Sequence, residues 1–577
     1  MPNFNNKLEK ILKKNTRFLD QDGDLIKSEV VDKAWKVDRD LIELLLDEKE
    51  VKAKFFSEIK GHWIFNVTFF VDFVQDKNFL NDSYTKFKNK IGLTIDNKYL
   101  NQRSEVALVW PYKDCVLEGG MNEEETKRDE IFFNEILAQD EIDRLLDPKV
   151  LTNFKRYTIK GSEKLEEFNR DKDGNIKDNL LIKGNNLLAL HSLKKQFAGK
   201  VDLIYIDPPY NTANDSFKYN DRFNHSTWLT FMKNRLEVAK HLLASSGSIF
   251  VHSDYNESHY LKILMDEVFG RDNFRNEIIW HYENKFKFQF TKNFNNDIES
   301  ILFYSKNSGQ QYFKHIKVKV KNKRKQNKIT WDKEQKKMVT VKDKDGNVVY
   351  YESDEKIVGT LWNIPRINSQ SKERSGLLGQ KPEILIQRII ESASKQGDII
   401  LDYHLGSGTT CAVAHKMGRQ YIGVEQMDYI EDLAIKRLKS VIGNSIKNNS
   451  MFEDIEYDQT GVSKDLNWNG GGEFVYFELK TYNQDFVDRI QKAKKTKDLE
   501  TIWEEMKKHS FLNWNVDFRN ADLAFDEWKK LDFEKQQHAL IQLLNKNQLY
   551  VNLSEADDEN MKCSEEEKKL SEDFYRK

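Results

Sequence analysis

Two adjacent prolines do most to limit what this chain can fold into. Asp207-Pro208-Pro209-Tyr210 closes the apolar run Val201-Asp202-Leu203-Ile204-Tyr205-Ile206, and the 577-residue sequence holds only seven prolines in all. Val201 to Ile206 is short, β-branched and aromatic, with turn residues directly after it, which predicts a buried strand. Neither proline can donate to a strand ladder, and each restricts the residue before it, so the strand must end in a stiff, extended turn. That turn presents a carboxylate, two carbonyls without competing N–H donors, and an aromatic ring. Such a set suits a planar heterocycle with an exocyclic amine, which would donate to Asp207 and a proline carbonyl while Tyr210 stacks on the ring. An ordinary strand-end turn fits the same four residues, and the rest of the chain decides between them.

A second element follows about two hundred residues later. Asp398-Ile399-Ile400-Leu401-Asp402 reads as another buried strand, and Tyr403-His404-Leu405-Gly406-Ser407-Gly408-Thr409-Thr410 as a glycine turn. Cys411 to Lys416 then reads as a short helix with Gly418 as its stop. Strand, glycine turn and helix make the first unit of a doubly wound sheet. The glycines let a ligand approach the backbone, and the helix start offers free N–H groups. Gln420-Tyr421-Ile422-Gly423-Val424-Glu425 is a further strand, ending in an acid where a ribose diol would bind. Asp402, Gly406, Ser407, Gly408, Thr409, Thr410 and Glu425 are therefore candidate cofactor contacts, and Asp207, Pro208, Pro209 and Tyr210 candidate catalytic residues.

In these motifs the chain resembles amino-methylating DNA methyltransferases that use S-adenosylmethionine. The DPPY turn precedes the GSG turn, which is the circularly permuted order of the β group. Leu181-Ile182-Lys183-Gly184-Asn185-Asn186 resembles the strand that closes over the cofactor's adenine. Trp228 to Leu236 resembles the helix after the catalytic loop, Gly247 to His252 the next strand, and Gly379-Gln380-Lys381-Pro382 the start of the cofactor-side helix. Asn185, Lys381 and Asp207 join the cofactor contacts on this basis. His404 and Asn185 depart from the pattern, standing where relatives usually carry an aromatic and an Asp. Trp110 to Gly120, Glu130 to Leu137 and Asp140 to Leu146 resemble signatures of the modification (Mod) subunits of type III restriction-modification systems.

The resemblance implies a Rossmann-like α/β core, a circularly permuted, doubly wound mixed sheet. An inserted target-recognition domain and α-rich N- and C-terminal regions complete the expected plan. The expected boundaries are 1–120 for an N-terminal α+β region, 121–280 for the catalytic half and 281–374 for target recognition. The cofactor half then spans 375–445, and 446–577 serves dimerisation or docking of a restriction subunit. The implied reaction is methyl transfer to N6 of an adenine flipped out of double-stranded DNA. Implied partners are a second copy and a helicase-nuclease restriction subunit. N4-cytosine methylation shares the mechanism, but relatives of that kind usually carry Ser where Asp207 stands. An orphan methyltransferase without a restriction partner, an RNA or protein-glutamine methyltransferase, and a DNA-binding specificity subunit each fit part of the pattern as well. No Pro-Cys dipeptide occurs, which excludes attack by a cysteine on cytosine C5. No GxxxxGK[ST] loop occurs, so the chain cannot drive translocation itself.

Composition narrows the class further. Charged residues make up 32% and mean hydropathy is −0.73, and no run approaches the length of a membrane helix. The start lacks an apolar signal core, and three scattered cysteines fit neither a disulfide frame nor a metal cluster, so the expectation is a cytoplasmic protein without membrane or metal. With a net charge of −2, DNA must be met by a local basic surface. Lys317, Lys319, Lys321, Lys323, Arg324 and Lys325 are the candidates. Strict alternation from His315 to Lys323 predicts a strand with lysines on one face and Ile316, Val318 and Val320 on the other. Asp345-Gly346-Asn347 predicts the turn of a hairpin. A charged edge strand that only blocks aggregation would look the same. Residues 27–60 show helical periodicity, Phe474 to Leu479 reads as a strand, and Asp557 to Lys577 as a solvated helical tail.

Overall fold

The computed structural model describes residues 2–19, 25–59, 61–75, 94–95, 98–99, 145–212, 225–283, 292–332, 336–446, 454–510, 512, 528–544 and 548–576. The signatures at 110–120, 130–137 and 140–144 lie outside these residues. The chain divides into two compact units, Met1–Ala107 and Leu108–Lys577.

The first unit is a small α+β body. Helices Lys27–Trp35, Arg39–Leu46 and Lys49–Phe55 precede a hairpin of Phe56–Ile59 with His62–Phe65. Asp38 caps the second helix by accepting from the N–H groups of Asp40 and Leu41. Val30, Ala34, Leu41, Leu45, Val51 and Phe55 recur at helical spacing and close one core with Phe70 and Val74.

In the second unit eleven strands form one sheet. They are β1 Leu151–Thr158, β2 Gly161–Lys164, β3 Leu180–Lys183, β4 Val201–Ile206, β5 Leu243–Ser253, β6 Phe274–His281, β7 Ile298–Ser305, β8 Leu361–Asn363, β9 Ile399–Asp402, β10 Gln420–Glu425 and β11 Phe474–Leu479. Their spatial order is β8-β6-β7-β5-β4-β9-β10-β3-β11-β1-β2. The run from β5 to β11 is parallel, while β6, β7, β1 and β2 pair antiparallel at the flanks. Ile204 and Ile206 enter one apolar cluster, and Leu203 and Tyr205 the other. Both faces of β4 are thus covered, which is why it reads as a continuous apolar run. This is the expected doubly wound mixed sheet. The chain moves from β4 to β5 on one side and from β9 to β10 on the other, so a topological switch point lies between β4 and β9, the two strands that end in DPPY and GSG.

Three local differences from the sequence reading stand out. The solvated tail is a core element instead: in helix Glu565–Tyr575, Leu570, Phe574 and Tyr575 are buried against the sheet, and Ser571 Oγ accepts from the Leu151 N–H at 2.9 Å. Its many charges hid three apolar residues spaced for one helix face. Segment 281–374 does not leave the sheet as a block, because β7 and β8 return to it. The basic strand runs Lys317–Asn327 and pairs with Tyr350–Ile357 in a separate two-stranded ribbon, where the register shifts between Lys319 and Arg324, so the strict alternation is broken. The turn beyond it forms as expected, with Gly346 at φ +85° and its N–H donating to the Asp343 carbonyl.

Candidate active site

The ends of β4 and β9 open into one cavity. Its lining includes Asp207, Pro208, Pro209 and Tyr210 from the first turn, and Asp402, Gly406, Ser407, Thr409 and Thr410 from the second. Glu425 joins from the end of β10, and Lys381 from the segment before helix Glu383–Ala393. Two predicted contacts fall outside this lining. Gly408 instead starts helix Thr409–Lys416 at φ +77°, with Ala434 so close that a Cβ would lie 3.1 Å from it. Asn185 caps helix Asn186–Phe197, accepting from Leu187 and Leu188, while its neighbour Asn186 faces the cavity. Tyr403 also lines it, as do Leu377, Gln426 and Tyr429, which no motif singled out.

Around the first turn the polar contacts converge. Trp228 Nε1 donates to the Pro209 carbonyl at 2.8 Å, so that carbonyl has a donor after all. The Tyr210 hydroxyl lies 2.7 Å from Asp207 Oδ1 and 3.0 Å from Glu299 Oε2. Lys381 Nζ donates to Asp207 Oδ2 at 2.7 Å and lies over the Tyr210 ring. Lys381, expected among the cofactor contacts, lines the cavity with its ammonium on the DPPY turn. Burial, with Asp207 and Glu299 close by, pushes the Tyr210 phenol well above its ordinary range and keeps it neutral.

The second turn is built to cradle a ligand. Gly406 adopts φ +54°, which glycine reaches without strain, and its N–H donates to Glu425 Oε2 at 2.9 Å. Glu425 Oε1 also accepts from the Gln426 and Met427 N–H groups. Burial raises its carboxyl, and those backbone donors oppose the rise. Asp402 is pushed up to about 7 by burial, against the pull of Thr410 and the His404 N–H. Gly423 on β10 keeps the turn close to the sheet, since a Cβ there would meet Cys411 Sγ at 2.8 Å and Leu405 Cδ1 at 2.9 Å. His404, where relatives carry an aromatic, is held neutral by burial, and its Nε2 has no partner.

The basic ribbon is a separate feature. Lys317, Lys319, Lys323 and Lys325 are exposed, but the paired strand is acidic. Lys317 Nζ lies 3.0 Å from Glu355 Oε2, Lys319 is opposite Glu355, and Lys325 is opposite Glu352. Lys321 and Arg324 share the strand's backbone. The acidic partner was invisible to a reading of the lysine run alone.

A family model described as DNA methylase matches residues 201–436, and one described as Type III restriction/modification enzyme methylation subunit matches 38–93. The probable type III restriction-modification enzyme HindVI Mod subunit of Haemophilus influenzae is 36% identical over 96% of this chain and 95% of its own length. This chain belongs to the Mod subunits of type III restriction-modification enzymes. The EcoP15I Mod subunit of Escherichia coli is 32% identical over 28% of this chain and 29% of its own length. DNA adenine methyltransferase YhdJ of Escherichia coli is 28% identical over 43% of this chain and 80% of its own length. Among solved structures, the M1.HpyAVI–SAM complex aligns at 21% identity and a TM-score of 0.31, covering 45% of this Mod subunit and 98% of that chain. PvuII DNA methyltransferase (cytosine-N4-specific) aligns at 16% identity and a TM-score of 0.32, covering 49% and 92%.

Proposed function

We propose that this Mod subunit flips an adenine out of double-stranded DNA and transfers a methyl group to its N6, with Asp207, the Pro208 carbonyl and Tyr210 forming the transfer centre. The chain is an adenine-specific DNA methyltransferase that depends on S-adenosylmethionine. The observation that carries the residue assignment is the single cavity shared by the DPPY and GSG turns on either side of the switch point.

The cavity fits such a cofactor: Gly406 leaves room beside the Glu425 carboxylate, and Asp402, Ser407 and Thr410 line the wall. S-adenosylmethionine supplies a methyl group already activated on a sulfonium, so the protein needs no nucleophile of its own. Gly406 and Ser407 hold its methionine end, and Glu425 its ribose. Flipping the base costs about a few kcal/mol, and stacking on Tyr210 returns roughly 1–3 kcal/mol. Asp207 and the Pro208 carbonyl accept from the amine and favour a pyramidal nitrogen whose lone pair points at the methyl carbon. Because N6 becomes positive as it attacks, these acceptors bind the transition state better than the ground state. Asp at 207 favours adenine over cytosine N4.

In the cell this chain supplies recognition and modification to a restriction subunit and acts as a cytoplasmic homodimer. Among the described residues no helix is long and apolar enough to cross a membrane. Residues 306–360, which include the basic ribbon, serve target recognition. The test is methyl transfer from labelled cofactor to duplex DNA, followed by nucleoside analysis. N6-methyladenine formed by the parent and lost, by about 10²–10³-fold or more, in Asp207→Ala is the expected result. N4-methylcytosine as product, or a fully active Asp207→Ala with unchanged cofactor affinity, would overturn it.

A further inference from the structure

Glu299 stands at the transfer centre, although no sequence motif marked it. It lies on β7, and its side chain is 11% exposed. Oε2 is 3.0 Å from the Tyr210 hydroxyl, 3.0 Å from His252 Nε2 and 3.7 Å from Lys381 Nζ, while the Tyr282 hydroxyl donates to Oε1 at 3.3 Å. Burial alone would raise this carboxyl, but Lys381, His252 and Tyr210 hold it below the usual carboxylate range, so it is ionised. Burial keeps His252 neutral. Its Nδ1 lies 3.0 Å from the Tyr205 hydroxyl and its Nε2 3.0 Å from Glu299 Oε2, the latter without hydrogen-bond alignment.

The charge count gives this carboxylate a task. In the transfer, N6 attacks the methyl carbon, the N–C bond forms as the C–S bond breaks, and the bonding pair returns to sulfur. Sulfur becomes neutral, and N6 carries the positive charge until one of its protons leaves to solvent. A centre suited to this step holds net negative charge beside N6. Asp207 alone would supply it, yet Lys381 at 2.7 Å neutralises Asp207. With His252 and Tyr210 neutral, Glu299 is the carboxylate that adds negative charge directly beside the Tyr210 hydroxyl and the Asp207–Lys381 pair.

We propose that Glu299 is a positioning residue of the methyl-transfer centre: it holds the Lys381 ammonium and the Tyr210 hydroxyl, and it restores the negative charge that Asp207 loses to Lys381. The proposal rests on the methyltransferase reading above. A carboxylate that merely satisfied a buried lysine would occupy the same place, and the two roles differ in whether the site's preference for a cationic ligand falls when the charge is removed.

Single-turnover transfer at saturating cofactor and DNA separates them. Glu299→Gln is expected to slow the step by about tenfold or more, with DNA affinity unchanged, and Glu299→Asp, which keeps the charge but draws it back, to fall between Glu299→Gln and the parent. A binding measurement, which needs no turnover, compares a cofactor analogue bearing an ammonium in place of the sulfonium methyl with the neutral sulfide product. The parent should prefer the cationic analogue, and Glu299→Gln should lose that preference by about tenfold. If Glu299→Gln is poorly folded, Glu299→Asp carries the same comparison against the parent. A Glu299→Gln rate equal to the parent's, a Glu299→Asp variant no faster than Glu299→Gln, or equal loss of both analogues would overturn the proposal. A parent that forms no N6-methyladenine would instead refute the reading beneath it.

Discussion

The Tyr210 hydroxyl and Asp207 Oδ1 lie 2.7 Å apart, so the ring proposed to stack on a base also holds the carboxylate proposed to bind the base's amine. The two tasks separate by substitution. Tyr210→Phe keeps the ring and loses a hydrogen bond worth about 0.5–1.5 kcal/mol, so transfer should slow by roughly two- to tenfold. Tyr210→Ala loses the stacking as well, about 1–3 kcal/mol more. Single-turnover rates, read beside the fluorescence of 2-aminopurine at the target position, check both. A Phe variant at the parent rate would make the hydroxyl idle, and an unchanged flipping signal in the Ala variant would remove the stacking role.

Gly406 holds φ +54°, while a Cβ there would meet Leu377 at 3.4 Å and the His404 carbonyl at 4.0 Å, both ordinary contacts. The protein has space for the side chain, so strain in the turn and collision with bound cofactor are what valine introduces. A β-branched residue is poorly suited to that backbone. Gly406→Val should therefore weaken cofactor binding beyond calorimetric detection while circular dichroism shows a folded chain. Unchanged affinity in a folded variant would place the cofactor elsewhere.

Short apolar, β-branched and aromatic runs were legible as strands in the sequence because they are buried on both sheet faces. Val201–Ile206, Ile399–Asp402, Gln420–Glu425 and Phe474–Leu479 all form where the pattern places them. What stayed hidden depends on long-range contact. Glu299 is an acid in a half-polar strand until the fold sets it beside Tyr210 and Lys381. Helix Glu565–Tyr575 looks like a solvated charge run, and only its packing on Leu151 shows otherwise. The lysine run likewise gives no sign that Glu352 and Glu355 lie across from it.

Asp402 links the cavity wall to pH. Burial raises its folded-state value to about 7 from 3.8. An acid raised in this way stabilises the fold below its unfolded value and gives up that contribution as pH climbs to the folded value. Asp402→Asn should therefore gain stability relative to the parent as pH rises from about 4 to 7, by at most about 4 kcal/mol, and hold that gain above 7. Urea unfolding of both proteins across this range measures the difference directly. A difference that does not change with pH would mean that Asp402 is already ionised in the folded protein.

The basic ribbon makes the last case, where two roles compete. If Lys317, Lys319, Lys321 and Lys323 meet phosphates, replacing all four with Gln should weaken DNA binding and leave cofactor affinity alone. Each lost phosphate contact flattens the slope of log K against log salt by roughly 0.9. Lys317 should contribute least, because its ammonium already lies 3.0 Å from Glu355. The same pairing predicts the opposite change for Glu355→Gln: freeing Lys317 and Lys319 from an anion should tighten binding and steepen the slope. Sequence preference should survive in both variants, since phosphates position the protein and base edges specify the site. A ribbon that only protects its edges from strand pairing would leave slope and affinity at parent values in every variant. A salt-titrated binding series over the three proteins decides between them, and parallel lines would move the DNA-binding surface away from this strand.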